Sequence, residues 1–136
     1  MSVLGELQPN KVFKYFEEIC AIPHGSRNLQ QISDYLVDFA KAHELKYRQD
    51  EDLNVIIWKD GSKGYEASEP VILQGHMDMV AVKEADCDKD MEKEGLDLEI
   101  NGDYISAKGT SLGGDDGIAV AYTLAVLDDE EMAHPP

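Results

Sequence analysis

The hydrophobic spacing of this chain changes along its length, and that change limits the folds open to it. Val12, Phe13, Phe16, Ile19 and Cys20 fall on one helical stripe, with Lys11, Lys14, Glu17 and Glu18 away from it. Pro9 suits the first turn of this helix, and Pro23 in Ile22-Pro23-His24-Gly25 ends it. Ser26 is the expected N-cap of a second helix, in which Leu29, Ile32, Leu36, Phe39 and Ala40 repeat up to about His43. After His43 the pattern becomes that of strands. Leu45 to Gln49 and Asn54 to Lys59 read as two of them, with Asp60 to Gly64 as a turn or hairpin loop. Val71-Ile72-Leu73, between Pro70 and Gly75, predicts a short strand covered on both faces. Lys83 to Glu94 is charged and aperiodic. Leu96 to Ile100 and Asp103 to Ala107 flank Asn101-Gly102, a strong hairpin signal, and Asp116 to Leu127 predicts a buried helix. Helices before and after a set of strands, with no repeat and no linker, imply an α/β three-layer arrangement.

Composition narrows the function classes. The 136 residues are 43% hydrophobic, enough for a real core. Asp and Glu number 28 against 12 Lys and Arg, a formal charge of −16. A field of that sign repels phosphate backbones, which disfavours nucleic-acid binding, and tolerates cations. It equally suits an ordinary acidic surface. No run reaches membrane-spanning length, and Met1 to Asn10 lacks the basic start and apolar stretch of a signal peptide, so no membrane partner is expected and a cytoplasmic location is. Cys20 and Cys87 lie in unlike contexts and form no Cys-x-x-Cys pair, so neither a disulfide nor a metal knuckle is expected.

Two segments carry chemistry. In an extended stretch, residues two apart share a face. His76 and Asp78 then point one way, while Met77 and Met79 point into the core. His76 follows an apolar run, and ligand sites of α/β sheets lie beyond such strand ends. A neutral imidazole is a good zinc ligand, and a carboxylate two residues on can hold its other nitrogen. A purely structural His–Asp pair fits this segment equally. The second segment is Gly109-Thr110-Ser111-Leu112-Gly113-Gly114-Asp115-Asp116-Gly117, leading into a helix. Helix capping explains one of its carboxylates well. Two adjacent carboxylates among glycines are better explained by a bridging metal, whose charge offsets their repulsion. The segment is not a phosphate loop, because it lacks the Lys-Ser/Thr ending. Among the other polar residues, Glu130-Glu131 reads as a solvated helix end, His134 as exposed and His43 as a C-terminal cap. His24 reads as structural in its polar turn.

Taken together, three stretches make the chain resemble the aminoacyl-histidine dipeptidases, or Xaa-His dipeptidases (bacterial carnosinases). They are Ile22 to Asn28, Leu73 to Val80, and Gly109 to Ala119. This group falls in the zinc-dependent family that includes carboxypeptidase G2, peptidase T and acetylornithine deacetylase. The resemblance implies a zinc-peptidase-like catalytic domain, three-layered with a central mixed sheet, of which residues 1–136 are a truncated N-terminal portion. It implies His76 as ligand of one zinc, Asp115 as the carboxylate bridging two, and Asp78 as the catalytic-site residue that orients the imidazole. It also implies a cis Asp115–Asp116 peptide. Two zincs are expected in the complete enzyme, with cobalt or manganese accepted by the same ligands. The implied reaction is hydrolysis of dipeptides, especially Xaa-His, using a glutamate base from a Glu-Glu pair downstream of the last helix. Glu130-Glu131 sits too early to be that pair. The remaining zinc ligands and a lid domain, through which a homodimer can form, are also expected downstream. The fragment alone is therefore expected to bind zinc weakly and to hydrolyse nothing. A deacetylase or tripeptidase of the same family, or a non-catalytic binding relative, shares the same front segments.

Overall fold

The computed structural model describes residues 1–136. Helix α1 spans Asn10–Cys20, and α2 spans Gln30–Ala42. Two hairpins follow, β1 (Lys46–Gln49) with β2 (Val55–Trp58), and β3 (Leu98–Asn101) with β4 (Tyr104–Ala107). The last helix, α3, spans Gly114–Asp128.

The apolar stripes behave as their spacing requires. On α1 the buried residues are Val12, Tyr15, Phe16, Ile19 and Cys20, and on α2 they include Ile32, Leu36 and Phe39. These meet Ala121, Leu124 and Ala125 of α3 and Leu98 and Ala107 of the second hairpin in one core. α1 packs mainly against α3, while α2 covers the β1–β2 hairpin. The C-terminal end of α3 is tied to the other elements: Tyr15 donates to Asp128 at 2.8 Å, and Lys59 Nζ donates to the carbonyls of Leu127 and Asp129. Cys20 and Cys87 are both free thiols, and burial pushes Cys20 up to about 12.

The α/β class is as expected. The strands of residues 1–136 form two separate two-stranded antiparallel sheets rather than one central mixed sheet. Val71-Ile72-Leu73 is not a strand, and Ile72 is 89% exposed. A ladder needs a second backbone alongside. Here Val71 N–H reaches only the Pro136 carbonyl, so no ladder builds and no face is covered. Ser26 is not the cap of α2 either. The helix begins four residues later, with Leu29 at its N-cap and no side-chain cap bond. The β3–β4 loop is Gly102-Asp103 rather than Asn101-Gly102, because Asn101 pairs with Tyr104. Gly102 takes φ 61°, at the first loop position, where a type II′ connection places glycine.

What positions the site is the irregular run from His76 to Glu84. On one side it is stitched to the turn after α1: Met79 N–H donates to His24 O, and Ser26 N–H donates to Met79 O, both at 3.0 Å. On the other side it is stitched to the approach to α3: Ser111 N–H donates to Val82 O at 3.0 Å, and Glu84 N–H to Gly109 O at 2.9 Å. The Ser111 hydroxyl donates to Val80 O at 2.6 Å and accepts from Val82 N–H at 3.1 Å.

Candidate metal centre

Alternation along the run sorts its side chains as the sequence requires. Met79 is buried and Met77 packs against the core, while His76 and Asp78 face outward on the other side. Stitching to the 109–111 segment then brings the start of α3 beside them. There Gly113 is left-handed (φ 74°, ψ 29°), and Asp115 and Asp116 are non-helical, joined by a cis peptide as the resemblance implies.

Three carboxylates surround His76. Its Nε2 lies 3.0 Å from Asp115 Oδ1. Its Nδ1 lies 3.1 Å from Asp78 Oδ1 and 3.0 Å from Asp78 O. Its backbone N–H donates to Asp116 Oδ2 at 3.3 Å. Asp78 divides its own oxygens, Oδ1 toward His76 and Oδ2 accepting the Ser26 hydroxyl at 2.6 Å. The Asp115 side chain is 94% exposed and that of His76 53%, so this centre lies at the surface of the chain.

The electrostatics follow from these contacts. The Asp115 carboxylate at Nε2 is the main cause raising His76 above the ordinary histidine value; slight desolvation opposes it, and Asp78 reinforces it. The Ser26 hydroxyl is the main cause holding Asp78 below the usual carboxylate range, with the facing His76 adding to it. Solvent screens all of these charges, so they are worth little as stability.

The donor set fits part of a zinc site. With Nδ1 turned to Asp78, the imidazole presents Nε2 outward beside a carboxylate oxygen. Two ligands of one tetrahedral zinc, each about 2.0–2.1 Å from it, stand about 3.3 Å apart. The observed 3.0 Å is close to that separation. A cation would fit in this gap, in competition with a proton for Nε2. No third His, Cys, Asp or Glu joins them to form a metal-holding group. Glu130 and Glu131 lie beyond the far end of α3, about 20 Å along the helix from Asp115 at 1.5 Å per residue. The Asp129 carboxylate caps Glu131 N–H there. His24 is buried, with Nδ1 2.6 Å from Ile22 O, which suits the structural role expected of it. His43 stacks on Phe39 and faces Asp128 at 3.5 Å.

Sequence reasoning brought out His76, Asp78 and Asp115 but not the roles of Ser26 and Asp116. Ser26 reads as a helix cap, and only its presence in a family-like motif hinted at more. Asp116 looks like the spare member of an acidic pair, whereas it holds the backbone of His76.

No family model matches the chain. It is 40% identical over all 136 residues to the cytosol non-specific dipeptidase of Escherichia coli strain K12, of which it spans 28%. Its fold superimposes on the crystal structure of aminoacylhistidine dipeptidase from Vibrio alginolyticus with a TM-score of 0.94 and 37% identity, covering 97% of this chain and 27% of that one. The chain thus spans little more than a quarter of the relatives it matches, and its similarity to them runs over essentially its whole length.

Proposed function

We propose that residues 1–136 form the N-terminal portion of the catalytic domain of a zinc-dependent dipeptidase. The observation that carries this reading is the convergence of His76 Nε2 and Asp115 Oδ1 at 3.0 Å, with Asp78 behind the imidazole. Both relatives bear dipeptidase names, which favours this activity over deacetylation or a non-catalytic role. One is named non-specific and the other for aminoacyl-histidine substrates, so the substrate class is dipeptides, Xaa-His among them. The cytosol in the first name supports a cytosolic location, in keeping with the absence of any helix long and apolar enough to cross a membrane.

In this reading His76, through Nε2, and Asp115 would hold the zinc ions. Asp78 holds the proton on Nδ1, so that Nε2 keeps its lone pair for the metal. Asp116 fixes the main chain of His76, and Met79 anchors the run in the core. The chemistry supplied by bound zinc is polarisation of the scissile carbonyl and acidification of a water; cobalt or manganese can stand in. A catalytic zinc takes three protein ligands, more than His76 and Asp115 would supply. The remaining ligands, the glutamate base and any dimer-forming lid therefore belong to the rest of a longer polypeptide.

The test is zinc content of the full polypeptide, purified with His76→Ala and Asp115→Ala variants. Both substitutions are expected to deplete zinc and abolish dipeptide hydrolysis. Unchanged metal in both would sink the assignment. The 136-residue chain alone is expected to be inactive, and measurable turnover by it would refute that portion of the reading.

A further inference from the structure

We infer that Ser26 is a positioning residue for His76, acting through Asp78, and that this is the task of the Ile22-Pro23-His24-Gly25-Ser26 turn. The inference rests on the reading of His76 as a metal ligand. Its basis is geometric. A carboxylate on a short side chain can rotate about its last bond and offer either oxygen to an imidazole. Asp78 is denied that freedom because Ser26 Oγ donates to Oδ2 at 2.6 Å while Oδ1 faces His76 Nδ1 at 3.1 Å. A short bond from a hydroxyl to a charged acceptor is among the stronger neutral-donor contacts.

The serine is itself fixed by backbone rather than by its own side chain. Ser26 N–H donates to Met79 O, Met79 N–H donates to His24 O, and Gly25 pairs with Met79 as a parallel bridge. Met79 follows Asp78 directly and is buried, so the hydroxyl and the carboxylate it meets are held on one rigid frame. His24 completes that frame, buried beneath the turn with its imidazole against Ile22 O. The result is a chain from Ser26 to Asp78 to His76 that crosses 52 positions of sequence and ends at the nitrogen facing Asp115. A helix cap, the other use of a serine in this position, is excluded because no side-chain bond caps α2.

The test reads the proton on His76 rather than activity. The full chain, metal-free and with isotope-labelled histidine, is examined by nuclear magnetic resonance at a pH above the titration of His76. His76 is identified by the resonances lost in His76→Ala. In Ser26→Ala the proton is expected to shift from Nδ1 toward Nε2, changing the tautomer ratio by about twofold or more, since outer partners fix the tautomer of a ligand imidazole. Ser26→Thr, which keeps the hydroxyl, is expected to retain the wild-type ratio, and the urea midpoints of both are expected to be unchanged. A wild-type ratio in Ser26→Ala overturns the inference. If Ser26→Ala lowers the midpoint, Ser26→Cys makes the same comparison with the side-chain volume kept and the strong donor removed. Zinc added alone to the wild-type chain separates the two proposals. If the His76 resonances do not move, the metal reading fails, while the tautomer comparison still decides the role of Ser26.

Discussion

Replacing Gly113 by alanine tests whether the approach to α3 is held as tightly as its geometry requires. Gly113 sits at φ 74°, ψ 29°, left-handed, just before the Asp115–Asp116 pair. An L-residue there costs about 1–2 kcal/mol through the contact of Cβ with the following carbonyl. The new Cβ would also stand 2.9 Å from both Cβ and Sδ of Met79, a buried side chain with little room to retreat. Overpacking of that kind costs about 1–3 kcal/mol. The expected loss is therefore about 2–5 kcal/mol. At a urea slope of about 2 kcal/mol per molar, the midpoint falls by about 1–2.5 M with the slope unchanged. The two contributions are separable. In a Met79→Gly background both of the contacting atoms are absent, so the steric contribution disappears and only the backbone one remains, giving a coupling of about 1–3 kcal/mol in a double-mutant cycle. The reasoning is refuted if Gly113→Ala costs the same in both backgrounds to within about 0.5 kcal/mol. Met79 also carries the run bearing His76 and Asp78, so the same substitution is expected to weaken zinc binding by the full polypeptide.

Three further outcomes follow from the packing and the titrating groups. Leu124→Ala, at a fully buried position on the face of α3 that meets the core, is expected to cost about 2–5 kcal/mol by urea unfolding. Burial holds His24 below the ordinary histidine value, so the unfolded chain takes up the proton first as pH falls. Stability is then expected to drop below about pH 6.5 and to level off beneath the folded value; His24→Gln should flatten this slope in urea midpoints taken across the range. His76 is shifted the opposite way, and in the proposed zinc site its proton would compete with metal for Nε2. Zinc affinity is accordingly expected to rise with pH through the raised His76 value and then reach a plateau, as read by competition titration. A pH-independent affinity would remove His76 from the ligand set.

Local periodicity made much of this protein legible. The stripes of α1 and α2 bury the side chains their spacing selects, because the turn of a helix is a property of its own backbone. The same holds for His76-Met77-Asp78-Met79, where alternation alone separates the outward pair from the core pair. The second hairpin appears where Asn101-Gly102 separates two apolar runs, although pairing of Asn101 with Tyr104 moved its loop by one residue, whereas the first closes at Asp50 to Asn54 and not at Asp60 to Gly64.

Tertiary structure decided what local spacing cannot encode. Val71 to Leu73 has the composition of a covered strand but no backbone beside it to complete a ladder. Ser26 has the chemistry of a cap, yet its hydroxyl serves a carboxylate that the fold brings to it through the Met79 bonds. His76 and Asp115 are 39 positions apart, and either segment alone admits an ordinary structural explanation. They become one site because Ser111 and Gly109 stitch the approach to α3 along the run that carries His76. Sequence by itself determined which residues could serve as ligands, since that depends on side-chain chemistry and on the face a residue occupies. Only long-range hydrogen bonding and core packing determined that an imidazole nitrogen and a carboxylate oxygen would stand 3.0 Å apart.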